Sequence, residues 1–362
     1  MGEGSFDTQA APEAAYGPEP AAAQASRASA WPSPPVPADA ILVAIPVLNE
    51  ADHIEACLTS LLQGDPRLKD VRFVVADGGS TDGTRARLDA LAQAHPNLSW
   101  LDNPGRLQSA GVNAVVRQFG TGRAILVRCD AHATYPPGYV TRVADALAAR
   151  GTDSLVVPMD ARGTGCFQRA NAWIVDTPVG SGGSAHRGGT RSGEVDHGHH
   201  AGFRLASFER IGGYDPDFSH NEDAEYDVRL AASGGRIFLD ASVRLDYAPR
   251  RTARALARQY FNYGKGRART VLKHHIRPRL RQIFPVLNLA ALVGALAVAP
   301  VLPLALLYPS LYAGALAASS VWMVVRHRSL CGLMSGPAAG VMHLAWASGF
   351  LVQGLRHALA RS

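Results

Sequence analysis

Four carboxylates occupy places where side-chain chemistry can be done. Asp77 closes an apolar run and is followed by Gly78, Gly79, Ser80 and Asp82; Asp130 follows another; Glu222 and Asp223 are adjacent before a helical stretch. Glycines let the backbone turn sharply at a strand end, so a carboxylate or hydroxyl there can accept hydrogen bonds from a base or a ribose. An Asp with a nearby His, here Asp130 and His132, suits a divalent cation of the Mg²⁺ or Mn²⁺ kind. A Glu-Asp pair can supply a base that takes a proton from an attacking hydroxyl. Each site has a plainer reading. Asp82 also fits a helix N-cap, His132 a structural hydrogen-bonder, and Ser219 with Glu222 a capping box. Asp215-Pro216-Asp217 follows two glycines and reads as a turn, not a metal site.

These residues need a scaffold, and the pattern supplies one. Apolar runs at Ile41–Ile45, Val71–Ala76, Leu98–Leu101, Ala124–Val127 and Ser154–Val157 alternate with helical stretches at Asp52–Leu62, Thr84–His95, Ser109–Phe119 and Tyr139–Arg150. That alternation predicts an α/β fold with a mostly parallel sheet covered on both faces. Ligands of such sheets bind at the carboxyl ends of the strands, where the carboxylates stand. Helix is expected over Phe203–Ile211 and Asp223–Ser233, strand over Ile237–Asp240, and a long mobile loop over Thr177–Glu194. Residues 1–38, rich in Ala and Pro, read as a disordered tail. Four cysteines without CxxC spacing suggest reduced thiols.

The formal charge of +6 conceals an asymmetry. Fifteen Lys and Arg and no acid follow Asp246, so residues 1–246 are net acidic. Residues 250–281 read as a basic amphipathic segment on a membrane surface, facing anionic lipids. Residues 282–325 then run without a charged side chain, long enough for two spanning helices, so 282–326 is expected to be a transmembrane hairpin. Residues 330–355 form a third apolar segment that either spans or re-enters. Basic flanks place both hairpin ends in the cytosol.

The joint pattern of Pro46, Asn49 and Glu50, then Asp77-Gly-Gly-Ser80 with Asp82, then a strand-end Asp130, resembles glycosyltransferase family 2, inverting enzymes of the GT-A fold. The stretches around Arg106, Arg128–His132 and His200–Phe203 are most similar to its bacterial succinoglycan-biosynthesis glucosyltransferase branch. The resemblance covers roughly residues 40–275. It implies a GT-A domain over 39–249 that transfers a hexose, as in UDP-glucose, to a polyprenyl-linked saccharide at the cytosolic face of the inner membrane. It implies that Pro46, Asn49, Glu50, Asp77, Ser80, Arg106 and Asp130 bind the nucleotide sugar and that Asp130 and His132 hold the metal. Asp223 would be the base, with Glu222 beside it. His200, Gln259, Tyr260 and Arg267 would face the acceptor or the diphosphate. The family's Gln-xx-Arg-Trp lacks its Trp here, which argues against processive synthesis.

Other classes fit less well. No Gly-x-Gly-x-x-Gly follows the first strand and no Gly-xxxx-Gly-Lys-Ser/Thr occurs, so a dinucleotide dehydrogenase and a P-loop NTPase are disfavoured. The basic stretch abuts apolar residues, which favours a membrane over nucleic acid. A non-catalytic membrane scaffold is the remaining alternative.

Overall fold

The computed structural model describes residues 34–184 and 187–360. Most of the expected tail, residues 1–33, lies outside the described residues. Val36 does not belong to a free tail: it is buried and its N–H donates to Asp145 Oδ1 at 2.8 Å.

The α/β alternation forms as expected. Strands β1 (Ile41–Val47), β2 (Arg72–Asp77), β3 (Leu98–Asp102) and β4 (Ile125–Arg128) are joined by helices α1 (Ile54–Leu61), α2 (Thr84–Ala94) and α3 (Gln108–Phe119). Helix α4 (Tyr139–Arg150) leads to β5 (Ser154–Val157). The first four strands are parallel in the order β3-β2-β1-β4. Period-two alternation sends Ile41, Val43 and Ile45 of β1 into one core and Leu42 and Ala44 into the other, so both faces are covered. The strand order reverses direction at β1, between β2 and β4, and opens a crevice at the strands' carboxyl ends.

Beyond β5 the structure departs from the expected elements. After two short strands, β6 (Met159–Ala161) and β7 (Gly193–Glu194), the helix expected over Phe203–Ile211 is largely a strand, β8 (His199–Arg204), paired antiparallel to β4 and β5; only Leu205–Arg210 is helical. The Thr177–Glu194 loop contains the short helix Pro178–Ser181, capped by the Thr177 hydroxyl, and the strand Gly193–Glu194. Three elements were not expected at all: the strand pair Met159–Ala161 and Leu245–Tyr247, and a helix, Cys166–Val175.

The rear of the chain is helical. Residues Ala253–His274, Leu280–Val298, Leu307–His327 and Ser335–Leu359 form four helices, here the basic helix and membrane helices M1, M2 and M3. Three segments, Leu280–Val298, Pro303–His327 and Leu330–Leu359, are long and apolar enough to cross a membrane. M3 is one continuous helix; Pro337 falls in its first turn, where a missing N–H costs little. The basic helix crosses M3 at close range because Gly264 faces the Trp346 carbonyl and Gly349 faces the Phe261 carbonyl. The Cys166–Val175 helix docks on the membrane unit. Trp173 stacks on His327 at 4.2 Å, and Ser335 Oγ donates to the Ala170 carbonyl.

Cys166 is disulfide-bonded to Cys331 at the same junction, with Cα atoms 5.0 Å apart, which corrects the expectation of four reduced thiols. The partners are 165 residues apart, so no local spacing announced the pair. Cys57 and Cys129 are free and buried.

The helix crossing generates a stability test. A methyl at Gly264 runs into the Trp346 backbone, whereas one at Gly354 meets nothing within 4 Å. Gly264→Ala is expected to destabilise the protein by about 1–3 kcal/mol, read as a lower midpoint of thermal unfolding, with Gly354→Ala as the unaffected control.

Candidate active site

The ends of β1 and β2 are laced together. Asn49 N–H donates to Ser80 Oγ at 2.8 Å, Thr81 N–H to Asn49 Oδ1 at 2.9 Å, and Glu50 N–H to Thr84 Oγ1 at 2.9 Å. Asp82 accepts from the Ala51 and Thr84 N–H groups and the Thr84 hydroxyl, so its role is structural. Asp77 differs from expectation. Its side chain is 0% exposed and ion-paired to Arg85 at 2.6 Å, and it accepts from Gly79 and Ser80 N–H, so it shapes the turn rather than facing the crevice. Burial raises its pKa, but the Ser80 and Arg85 hydrogen bonds outweigh burial and hold it low. Exposed Arg106, at φ 58°, caps this cluster over Gly78.

The carboxylates meet around Arg128, the last residue of β4. Arg128 is 6% exposed and reaches Asp130 Oδ1 at 2.8 Å. Burial alone would lower its pKa, but the charges of Asp130, Tyr214, Glu222 and Asp223 raise it, so it is a fixed cation. In the sequence its only mark is a charge ending the apolar run Ile125–Val127. Asp130 is raised by burial but lowered more by Arg128, His199 and His132, and stays ionised.

Glu222 and Asp223 open the helix Glu222–Ala232, here the acidic helix. The expected Ser219–Glu222 capping box does not form: the N-cap is Asn221, left-handed at φ 62°, with no side-chain cap bond. Asn221 instead donates to the Tyr263 carbonyl at 3.1 Å, tying the helix start to the basic helix. Glu222 is thereby free to face the cleft. Its pKa is raised from 4.5 to about 7 by burial and by the charge of Asp223. For Asp223, burial is outweighed by His197, His200 and Arg128, which hold it well below the carboxylate range. Of the two, Glu222 therefore holds a proton the more tightly.

Adjacent histidines on β8 point to opposite sides of the sheet. His200 faces the core, 0% exposed, with Nε2 2.8 Å from Asp227 Oδ1 and Nδ1 2.7 Å from the Tyr214 hydroxyl. No sugar reaches it, which corrects its assignment to the acceptor region. His197 Nδ1 adds a second bond to Asp227 at 2.7 Å. Asp227 lies one turn beyond Asp223, so this network holds the acidic helix in place. His199 faces the cleft instead, its Nε2 3.8 Å from Asp130 Oδ2. Burial and Arg128, opposed by Asp130, push its pKa down to about 4, so the imidazole is neutral. The sequence alone does not show which way it faces, because its strand carries no long apolar run.

His132 is half exposed, with Nδ1 3.5 Å from Glu50 Oε1. Among the described residues no three His, Cys, Asp or Glu side chains converge on a metal position. The donors that face the cleft, Asp130 with His132 and the neutral His199, nevertheless suit a hard or borderline cation. Such a cation commonly takes one or two protein ligands and completes its shell from phosphates and water. The Asp215–Asp217 turn is not a competitor: Asp215 is paired to Lys273 at 2.6 Å and Asp217 is exposed near Arg269.

Arg128, Asp130, His132, Glu222 and Asp223 line one cleft of about 1020 Å³, together with Gln259, Tyr260 and Arg267 of the basic helix. Gln259 Nε2 donates to the Tyr247 and Tyr263 hydroxyls at 2.9 Å. Pro46, Asn49, Glu50, Asp77, Ser80 and Arg106 form the adjoining strand-end cluster and do not line the cleft itself.

Two tests follow from this geometry. Glu222 binds its proton more tightly in the folded state, so its contribution is full below pH 4.5 and lost as pH rises through about 7. The lost stability is on the order of 3 kcal/mol. Glu222→Gln should therefore unfold at a higher temperature than wild type at pH 8.5, the two converging near pH 4. Separately, Asp227→Asn and His200→Ala should each lower stability by about 1–3 kcal/mol without changing the donor KM; a KM effect at full stability would return His200 to the sugar site.

Known proteins resemble this chain in sequence and fold. The family model described as glycosyl transferase family 2 matches residues 42–212. The succinoglycan biosynthesis protein ExoA of Rhizobium meliloti (strain 1021) is 44% identical over 316 residues, which span 85% of this chain and 93% of that protein. A polyprenol monophosphomannose synthase of Mycolicibacterium smegmatis is 30% identical over 118 residues, 31% of this chain and 43% of that one. Among solved structures, a mannosyltransferase from Pyrobaculum calidifontis, in complex with GDP-Man and Mn²⁺, matches with a TM-score of 0.52 at 21% identity, covering 90% of this chain and 94% of that one. That likeness confirms the GT-A fold. With a near-full-length relative at this identity, the chain belongs to glycosyl transferase family 2 and is a glycosyltransferase.

Proposed function

We propose that the protein transfers a hexose, with inversion, from a nucleotide sugar such as UDP-glucose to a polyprenyl-linked saccharide during exopolysaccharide synthesis. The observation that carries this reading is the carboxylate cluster around Arg128, set in a cleft whose walls continue onto membrane helices M1, M2 and M3. The 44% identical relative, named for succinoglycan biosynthesis, supports the pathway class. Family membership sets aside the non-catalytic scaffold.

In this reading the nucleotide lies over the strand-end cluster of Pro46, Asn49, Glu50, Ser80 and Arg106, with Asp77 shaping the turn beneath it. The diphosphate points toward Asp130. A divalent cation, Mg²⁺ or Mn²⁺, bound there through Asp130 with His132 or His199, would offset the charge of the leaving diphosphate. Arg128 holds Asp130 and keeps the cluster ionised. Asp223, ionised and anchored through the Asp227 network, takes the proton from the acceptor hydroxyl as its oxygen bonds to the anomeric carbon. The bond from that carbon to the diphosphate oxygen breaks, and the nucleoside diphosphate leaves with the electron pair. Glu222, protonated near neutrality, limits charge repulsion around Asp223. Gln259, Tyr260 and Arg267 face the acceptor or the diphosphate. The basic residues of 250–281 lie against anionic lipid headgroups, with the catalytic domain on the cytosolic side of the inner membrane.

The test is sugar transfer in membranes containing the protein, with radiolabelled UDP-glucose and Mg²⁺ or Mn²⁺, read as label in extracted lipid. Asp223→Asn and Asp130→Asn should each lower transfer by about 10²–10⁴-fold, and chelation should abolish it. Retained transfer in Asp223→Asn would sink the base assignment.

A further inference from the structure

The active-site cleft does not end at the carboxylates. Past the basic helix it runs on between the three membrane helices, where Phe284 and Pro285 of M1, Tyr312 and Ala315 of M2, and Met342 and Trp346 of M3 line it. Its character changes along its length, from ionic beside Asp130 and Asp223 to largely apolar in this throat. A hydrogen-bonded bridge ties the throat to the Pro178–Ser181 helix of the catalytic domain. His343 on M3 is bonded through Nε2 to the Val179 carbonyl at 2.7 Å and through Nδ1 to the Tyr312 hydroxyl at 3.0 Å. Residue Val179 belongs to the short helix Pro178–Ser181, which thus roofs the place where the two halves meet.

Arg187 stands at that place. It lines the cleft, and its guanidinium lies over the Tyr247 ring at 5.0 Å. Its Nη1 is buried and has no hydrogen-bond partner, and no salt bridge to it forms among the described residues. A buried guanidinium nitrogen without an acceptor is costly, and a phosphoryl oxygen is the acceptor that a guanidinium matches best. Arg187 comes from the 177–194 segment, on the throat side, whereas the donor diphosphate in the reading above lies at Asp130.

We propose that Arg187 and the throat form a slot for a lipid phosphate. Arg187 takes the phosphoryl oxygens of the head, and the hydrocarbon tail lies between M1, M2 and M3 with its far end in the bilayer. This rests on the reading that the acceptor is lipid-linked, and it assigns that acceptor a place of its own. Unpaired cationic donor at one end, apolar wall at the other and helices of membrane-spanning length around it fit an amphiphile from the bilayer rather than free phosphate. The slot holds the head beside Asp223, so a sugar attached to it presents a hydroxyl to the base.

The test uses the full chain in phosphatidylcholine nanodiscs and tritiated farnesyl diphosphate as the probe, without donor sugar. Two variants are informative. Arg187→Gln removes the charge, and Ala315→Trp fills the throat from an exposed position on M2. Each should weaken farnesyl diphosphate binding by roughly tenfold or more, the loss of a charge-assisted bond or of apolar burial, while UDP binding is unchanged. Inorganic pyrophosphate should compete poorly and farnesol weakly. Pyrophosphate competing as well as the lipid, unchanged lipid binding in both variants, or loss of UDP binding in Arg187→Gln would each overturn the slot. Failure here is separable from failure of the transfer reading. If both variants bind lipid normally while Asp223→Asn still stops transfer, only the slot falls. If the slot binds lipid but wild type transfers no sugar, only the transfer reading falls.

Discussion

One buried cation organises this site. Arg128 ends an otherwise apolar strand and is surrounded by Asp130, Glu222 and Asp223. Taking a guanidinium and three carboxyl groups out of water is expensive. The charges can coexist there because Arg128 offsets Asp130 directly and because Glu222 retains a proton that Asp223 gives up. Remove the cation and the remaining carboxylates repel one another; remove the acids and the cation is stranded. The cluster is thus a strained, highly charged point in an otherwise apolar interior, the condition in which groups acquire pKa values useful for proton transfer.

Everything around the cluster serves to keep it in register. The acidic helix is fastened at three depths. Asn221 holds its start to the basic helix, His197 and His200 grip Asp227 in its middle, and Glu225 receives Arg229, Lys273 and His274 on its far side. Two of those attachments reach the basic helix, which in turn crosses M3 at glycines. The active site is therefore mechanically continuous with the membrane unit. The Cys166–Val175 helix adds a second junction, closed by the disulfide, the Trp173–His327 stack and the Ser335 hydrogen bond. A sugar-transfer domain joined this way has its carboxylates at a fixed position relative to the apolar helices.

How much of this was legible depended on how local each signal is. Strands β1 to β5 and their helices were readable because burial on both faces produces continuous β-branched runs punctuated by glycine and proline. The spans were readable because a charge-free stretch of that length has few other uses. The second half of the catalytic domain was harder. β8 carries two histidines at its start and no long apolar run, so its strand character lies in pairing with β4 and β5, which a single segment does not display. The missed helix Cys166–Val175 buries its apolar face against membrane helices, not against its sequence neighbours.

The sequence by itself determined that this is an α/β domain with carboxylates at strand ends, followed by apolar helices. Those features are written in residue type, periodicity and length. Only the tertiary structure decided that His199 faces the cleft while its neighbour His200 lies in the core, that Asp77 is sealed by Arg85, and that Glu222 is no helix cap. It also decided that Cys166 finds Cys331 and that the catalytic cleft continues between the membrane helices. Each of these depends on which face of an element meets which distant partner, and that is fixed by packing among residues tens to hundreds of positions apart.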